Sequence, residues 1–394
     1  MKKYRKIIID LVFNVGATAV PLIVLQLVIF PSLALQTSEE FYGFILTIIS
    51  IVTVLGASLG NALNNVRLIR NNEYEQKGYN GDFSILLICE LVIGGIVISI
   101  SLLHYNLEKF NYFLIIIMTL LWILEEYYCV AYRLELKFGG IAINNFVMVI
   151  GYAVGFVLFY FTGYWQLIYI IGIVFSIFYI NKSTNIIREK INRTPLFGQT
   201  IKELLYLVIA CLIANLLNYA DRMIIYPLVG GTAVAVYYAS TLFGKIVSTA
   251  VIPLNSVMLS YLAKKNKMAK KMFNLAVKIS FVVAILGYII CRLIAYPALC
   301  IIYPKLAEES IRYVPVTTAI AMVTMIINVM SPFVLKFCEM KWQIVINLCM
   351  LVIYIISALI LYSLFGLMGF CIGVLISNLV KMMIMYVLGN KAGE

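Results

Sequence analysis

The sequence predicts an all-α polytopic membrane protein, with about twelve transmembrane helices in two six-helix halves around a central cavity. Three observations carry this expectation: the composition, the spacing of apolar runs and the one-sided placement of basic residues. Hydrophobic residues make up 63% of the 394 positions and charged residues 12%, against roughly 45–50% and about 25% in soluble domains. Apolar runs long enough to cross about 30 Å of hydrocarbon recur along the whole length, and no stretch of soluble-domain composition interrupts them.

Taken in order, the first six spans fall at about 11–35, 44–66, 83–103, 112–132, 141–161 and 164–181. A polar stretch follows, and six more come at about 204–228, 231–262, 279–303, 312–334, 343–365 and 367–388. The first run exceeds the apolar core of a cleavable signal and has no small-residue cleavage site after it, so it reads as the first span. Gly163 and Gly366 mark very short turns between joined spans, and Gly230-Gly231 marks another. The expected organisation is an N-terminal bundle over 1–181, a linker over 182–203 and a C-terminal bundle over 204–394.

With the N-terminus inside, nearly every Lys and Arg falls on the cytoplasmic side, from Lys2, Lys3, Arg5 and Lys6 to Lys381 and Lys391, while the outside keeps Lys109, Lys305 and Arg312. Short cytoplasmic loops retain positive charge, so both termini are expected in the cytoplasm. The net charge of +12 is thus explained by topology and anionic membrane lipids, and not by nucleic acid. The eight cysteines lie in or at the ends of spans without metal-ligand spacing and read as packing residues. No metal or cofactor is expected. The pairs Gly56/Gly60, Gly151/Gly155 and Gly369/Gly373 form GxxxG steps suited to internal helix packing.

An internal repeat links the halves. Phe30-Pro31 precedes Tyr42-Gly43 as Tyr226-Pro227 precedes Tyr238-Ala239, and 227 − 31 and 238 − 42 both give 196, close to half the chain. Pro31, Pro227 and Pro253 interrupt apolar helices and are the expected hinges.

Charges inside the spans are the candidate functional residues, because each costs about 2.5–3.5 kcal/mol at the bilayer centre on insertion scales. The bases are Arg222, Lys245, Arg292 and Lys381, expected to line a cationic cavity. Lys245 leads, lying well inside span eight with no acid near it in sequence; Arg292 reads equally as outward-facing or structural. The acids are Glu90, Glu125, Glu126 and Asp221, expected either to couple transport to H+ or Na+ or to neutralise the bases.

The stretch around Asp221, Gly230, Tyr238, Ala239 and Pro253, ahead of a basic loop, resembles the Wzx-type polysaccharide flippases. Glu125 to Asn145 resembles the same family's fourth-to-fifth-span hairpin. These flippases belong to the wider superfamily of multidrug and toxin extruders and lipid II flippases. The twelve-span plan covers the whole chain. The resemblance implies a bacterial cytoplasmic-membrane protein that moves an undecaprenyl-pyrophosphate-linked oligosaccharide across the bilayer by alternating access, alongside other polysaccharide assembly proteins. It implies no enzyme activity. An ion-coupled multidrug extruder of the same superfamily is the alternative, and a membrane polysaccharide polymerase or ligase a weaker one, since no external loop exceeds roughly a dozen residues. No GxxxxGK[ST] phosphate loop occurs.

Overall fold

Every described span is a helix for the same reason: hydrocarbon offers no partner to a backbone N–H or C=O, and only the i to i−4 ladder satisfies both within one segment. The computed structural model describes residues 20–135, 137–244, 246, 270–337 and 340–392. Lys245, Pro253, residues 11–19 of span one and residues 247–262 of span eight lie outside the described residues. Among those described there is no strand.

The helices are α1 (Val20–Gln36), α2 (Glu39–Lys77), α3 (Asp82–Leu102), α4 (Lys109–Leu134), α5 (Phe138–Thr162) and α6 (Gln166–Ser183). They continue with α7 (Phe197–Val229), α8 (231–244), α9 (Lys270–Ile302), α10 (Val314–Phe337) and α11 (Met340–Ala392). Nine of these are long and apolar enough to cross a membrane among the described residues. One of the nine, α11, breaks at Phe365 and Gly366, where Gly366 takes φ +58°. It therefore supplies both spans expected on either side of that glycine. Gly163, at φ +78°, closes α5 in the same left-handed region that a residue with a Cβ avoids. The protein is a multi-pass, all-α membrane protein.

Hydroxyls in the spans turn back on their own helices, as where Thr47 donates to the Gly43 carbonyl at 2.9 Å and Thr119 to the Ile115 carbonyl at 2.8 Å. The outer face of α9 is hydrocarbon except at Arg292, with Ile279, Val282, Leu286, Ile289, Leu293 and Ile301 all exposed. A patch of this kind is stable against lipid tails and not against water. Pro31 and Pro227 both lie inside helices. Pro31 follows a wide turn at Leu25–Ile29, because its missing N–H releases the carbonyl four residues earlier.

The chain forms two compact units. Unit 1 contains residues up to 30 and 48–221; unit 2 contains 31–47 and 222 onward. In unit 1, α4 packs on α3 and α6, and α6 on α5. Gly56 and Gly60 face Trp122, Ile123 and Glu126 of α4, while Gly151 and Gly155 lie against Leu167, Ile168 and Gly172 of α6. In unit 2, α10 packs on α9 and α11, and Gly369 and Gly373 let the two arms of α11 meet at Ser357, Ala358 and Leu361. All three GxxxG steps are internal packing sites, as the sequence indicated.

Residues 182–203, read from the sequence as a linker, belong to unit 1. A helix of 39 residues is about 58 Å long, roughly twice the hydrocarbon thickness, so the charged end of α2 extends beyond the bilayer. There Arg67 pairs with both oxygens of Glu189, and Arg70 pairs with both oxygens of Glu203 and one of Glu73. Asp82 accepts from the Tyr74 hydroxyl at 2.7 Å and from the Thr194 backbone N–H at 2.7 Å.

Candidate functional site

Glu90, Glu125 and Glu126 stand in unit 1 and Arg292 and Lys381 in unit 2, while Asp221 and Arg222 are consecutive on α7, at the boundary between the units.

Glu90, on α3, is 3% exposed, and neither of its carboxyl oxygens has a hydrogen-bond partner among the described residues. Leaving an ionised carboxylate unpartnered in such a place is costly. Glu125 and Glu126 are consecutive on α4 and so point about 100° apart. The structure assigns them different neighbours accordingly. Glu125 turns to α5 and α6, where its Oε1 accepts from Ser176 Oγ at 3.0 Å and from Cys129 Sγ at 3.2 Å. Asn144 Nδ2 donates to Ser176 Oγ at 2.8 Å. Ser176 also lies 3.1 Å from Asn144 Oδ1, and its single proton serves one acceptor at a time. Glu126 turns toward α2: its Oε1 accepts the Trp122 indole N–H at 3.4 Å, and its backbone carbonyl accepts from Asn64 Nδ2 at 2.8 Å. Asp221 is 7% exposed, near the end of α7.

In unit 2 the three described bases differ in kind. Arg222 is 5% exposed, with its guanidinium 4.6 Å from the centre of the Tyr238 ring. It is held inside the unit by an aromatic face and its flat cation fits that role. Arg292 sits on the exposed face of α9 beside Ile289, Ile290, Leu293 and Ile294, all exposed as well. Lys381 lines a cavity of about 90 Å³ together with Ile327, Asn328, Ser331, Val334, Ile346, Asn347 and Met385. Its ammonium donates to Asn347 Oδ1 at 3.5 Å and has no carboxylate partner among the described residues.

The structure thus gathers Glu125 with polar residues and gives Lys381 a cavity, and it brings neither Arg222 nor Arg292 to that cavity. A search of the sequence for charge alone passes over Ser176, Asn144, Asn328, Ser331 and Asn347. The signal that finds them is an amide or hydroxyl inside an apolar span, which needs a partner for the same reason a charge does. Cys129, read as packing, donates to a carboxylate instead. No cluster of His, Cys, Asp and Glu fit for a metal occurs among the described residues.

No protein-family model and no curated protein matches the sequence. Solved structures do match by fold. One is the inward-facing conformation of a multidrug resistance MATE family transporter of the MOP superfamily, with a TM-score of 0.70 and 14% identity over 96% of this chain and 97% of that one. The outward-facing conformation of such a transporter gives 0.67 and 13% over 97% and 93%. The eukaryotic MATE transporter AtDTX14 gives 0.63 and 14% over 97% and 96%. End to end, the chain has the fold of the MATE family transporters of the MOP superfamily.

Proposed function

We propose that this protein is a flippase: it translocates an undecaprenyl-pyrophosphate-linked oligosaccharide across the bacterial cytoplasmic membrane by alternating access, for surface polysaccharide synthesis. The observation that carries the reading is the placement of Glu90, Glu125 and Glu126 in unit 1 and of Arg292 and Lys381 in unit 2, within a MATE-like fold. An anionic headgroup needs fixed positive charge where it crosses a low-dielectric region, and its lipid tail needs none. Lys381 is the described base with a cavity to offer, and Lys245 is assigned the same role from the sequence. The acids of unit 1 supply a separate place for a driving ion, so that ion and substrate do not compete for one site.

A second reading is the ion-coupled export of a cationic drug. It is favoured by Glu90, a buried carboxyl whose oxygens have no donor among the described residues, which suits a cationic guest. The two readings separate in proteoliposomes. Protein-dependent movement of a fluorescent undecaprenyl-pyrophosphate oligosaccharide, reduced by Lys245→Ala, is expected. No movement of that lipid, together with gradient-driven efflux of a cationic dye, would overturn the flippase reading in favour of the extruder.

A further inference from the structure

The cavity at Lys381 is assembled from three helical segments. Asn328 and Ser331 come from one face of α10, three residues apart. Asn347 comes from the first arm of α11, and Lys381 from the second, beyond the break at Gly366. No short motif produces this set, and only the folded unit brings it together.

Charge says what kind of guest it takes. The five ion pairs among the described residues all involve the charged ends of helices and loops near Arg67, Arg70, Lys77 and Lys137, and none includes Lys381. An ammonium within a membrane span and without a counter-charge among the described residues is costly, and an anion in the cavity removes that cost. One of its three N–H donors points to Asn347 Oδ1, at the outer limit of a hydrogen bond. The others are available to a guest, as are the amide N–H groups of Asn328 and the Ser331 hydroxyl. Lysine is a compact point charge with rotatable donors, suited to a tetrahedral or planar oxyanion without demanding the fork geometry of arginine.

Size says how much of the guest enters. The cavity of about 90 Å³ is smaller than the roughly 150 Å³ that admits a benzene ring. A sugar ring is larger than benzene. Ile327, Val334, Ile346 and Met385 close the remaining walls with hydrocarbon.

We infer that the Lys381 niche seats one oxyanionic group, phosphoryl or carboxylate, and excludes the sugar ring and lipid chain that carry it. Resting on the flippase reading, this assigns the niche to a phosphoryl group of the lipid-linked substrate. The same chemistry would hold free phosphate, and the experiment distinguishes the two.

The full chain in nanodiscs is titrated with radiolabelled inorganic phosphate, with undecaprenyl pyrophosphate and with N-acetylglucosamine as competitors. Saturable phosphate binding is expected, displaced by the lipid pyrophosphate and not by the sugar. Lys381→Met should weaken it at least tenfold. Ser331→Leu, which keeps the charge and fills the niche, should do the same, while Lys391→Met, at an exposed position, should leave it unchanged; monodisperse elution confirms that each variant folds. Phosphate binding that survives both niche variants, or is absent from the unaltered chain, overturns the inference. A lipid pyrophosphate that fails to displace bound phosphate makes the occupant a free anion and overturns the substrate assignment. The flipping assay is independent. Phosphate held through Lys381 without flipping leaves the niche standing and removes the flippase reading, and unchanged flipping in both niche variants does the reverse.

Discussion

The carboxylate of Glu40 accepts the Gly231 N–H at 2.8 Å and the Thr232 N–H at 2.9 Å, so a residue at the start of α2 caps the start of α8 across 191 positions of sequence. The Thr232 hydroxyl adds a third donor at 3.2 Å. The first N–H groups of a helix have no internal partner and carry the positive end of its dipole, and an anion there answers both. Contact this close depends on Gly43 and Gly231, where a Cβ on either would collide with the other segment's backbone. Segments 31–43 and 227–239, which the sequence pairs as repeat equivalents, thus lie together in unit 2.

Glu40→Ala should therefore cost about 1 kcal/mol, the usual value of a lost cap. Gly231→Leu should cost several times more, because backbone and not a flexible side chain stands in the way. Thermal unfolding in detergent measures both. A Gly231→Leu variant as stable as Glu40→Ala would mean the two segments have room that the close approach denies.

Gly155 makes the equivalent test in unit 1. A Cβ there would press on the backbone of Leu167 and Ile168 of α6. Gly155→Leu is expected to destabilise the protein by more than 2 kcal/mol through overpacking, while Gly139→Leu, with open space around its Cβ position, should fall within about 0.5 kcal/mol of the parent. Equal melting temperatures for the two variants would show that α5 and α6 do not need the glycine.

How much of this was legible in the sequence depended on the length scale of the signal. Span positions came through because twenty apolar residues have only one arrangement available in lipid. The turn at Gly366 came through because a glycine between two such runs marks a conformation other residues resist. Glu125 and Glu126 were legible as pointing about 100° apart from the helix repeat alone. The companions of Lys381 were not, since Asn328, Asn347 and Lys381 meet only through the packing of α10 on both arms of α11. Nor was the grouping of 182–203 with unit 1, which rests on ion pairs between residues more than a hundred positions apart. Composition marks that stretch as polar and does not say what it holds.

Those ion pairs give the next expectation. The Arg67 and Glu189 side chains are 11% and 21% exposed, and the Arg67 guanidinium also lies 4.4 Å from the centre of the Phe83 ring. Removing one member of a largely buried pair leaves the other unpaired, so Arg67→Ala should cost about 2 kcal/mol after allowance for partial exposure. Arg67→Met with Glu189→Leu should recover part of that loss. Limited proteolysis in the 184–203 stretch offers a second readout, with faster cleavage expected in Arg67→Ala alone. Unchanged cleavage would mean that the segment is held by Asp82 and Thr194 without help from the pair.

The last expectation tests the proposed coupling of transport to an ion. Glu125 accepts from Ser176 and Cys129 and lies one hydroxyl away from Asn144, whereas the Glu90 oxygens have no donor among the described residues. A carboxyl that must gain and lose a proton during a cycle benefits from a partner that reorients as the charge changes, and Ser176 can pass its one proton between Glu125 and Asn144. Glu125→Gln preserves the shape and the acceptor but removes the exchangeable charge. It should keep stability within about 1 kcal/mol and abolish the response of transport to a pH gradient, with downhill movement intact. Ser176→Ala should lower stability by about 1 kcal/mol and reduce the response without abolishing it. Glu90→Gln is the control that decides between the two carboxyl groups. Loss of gradient dependence there, with Glu125→Gln still coupled, would place the driving ion on α3 and leave the Glu125 network a structural one.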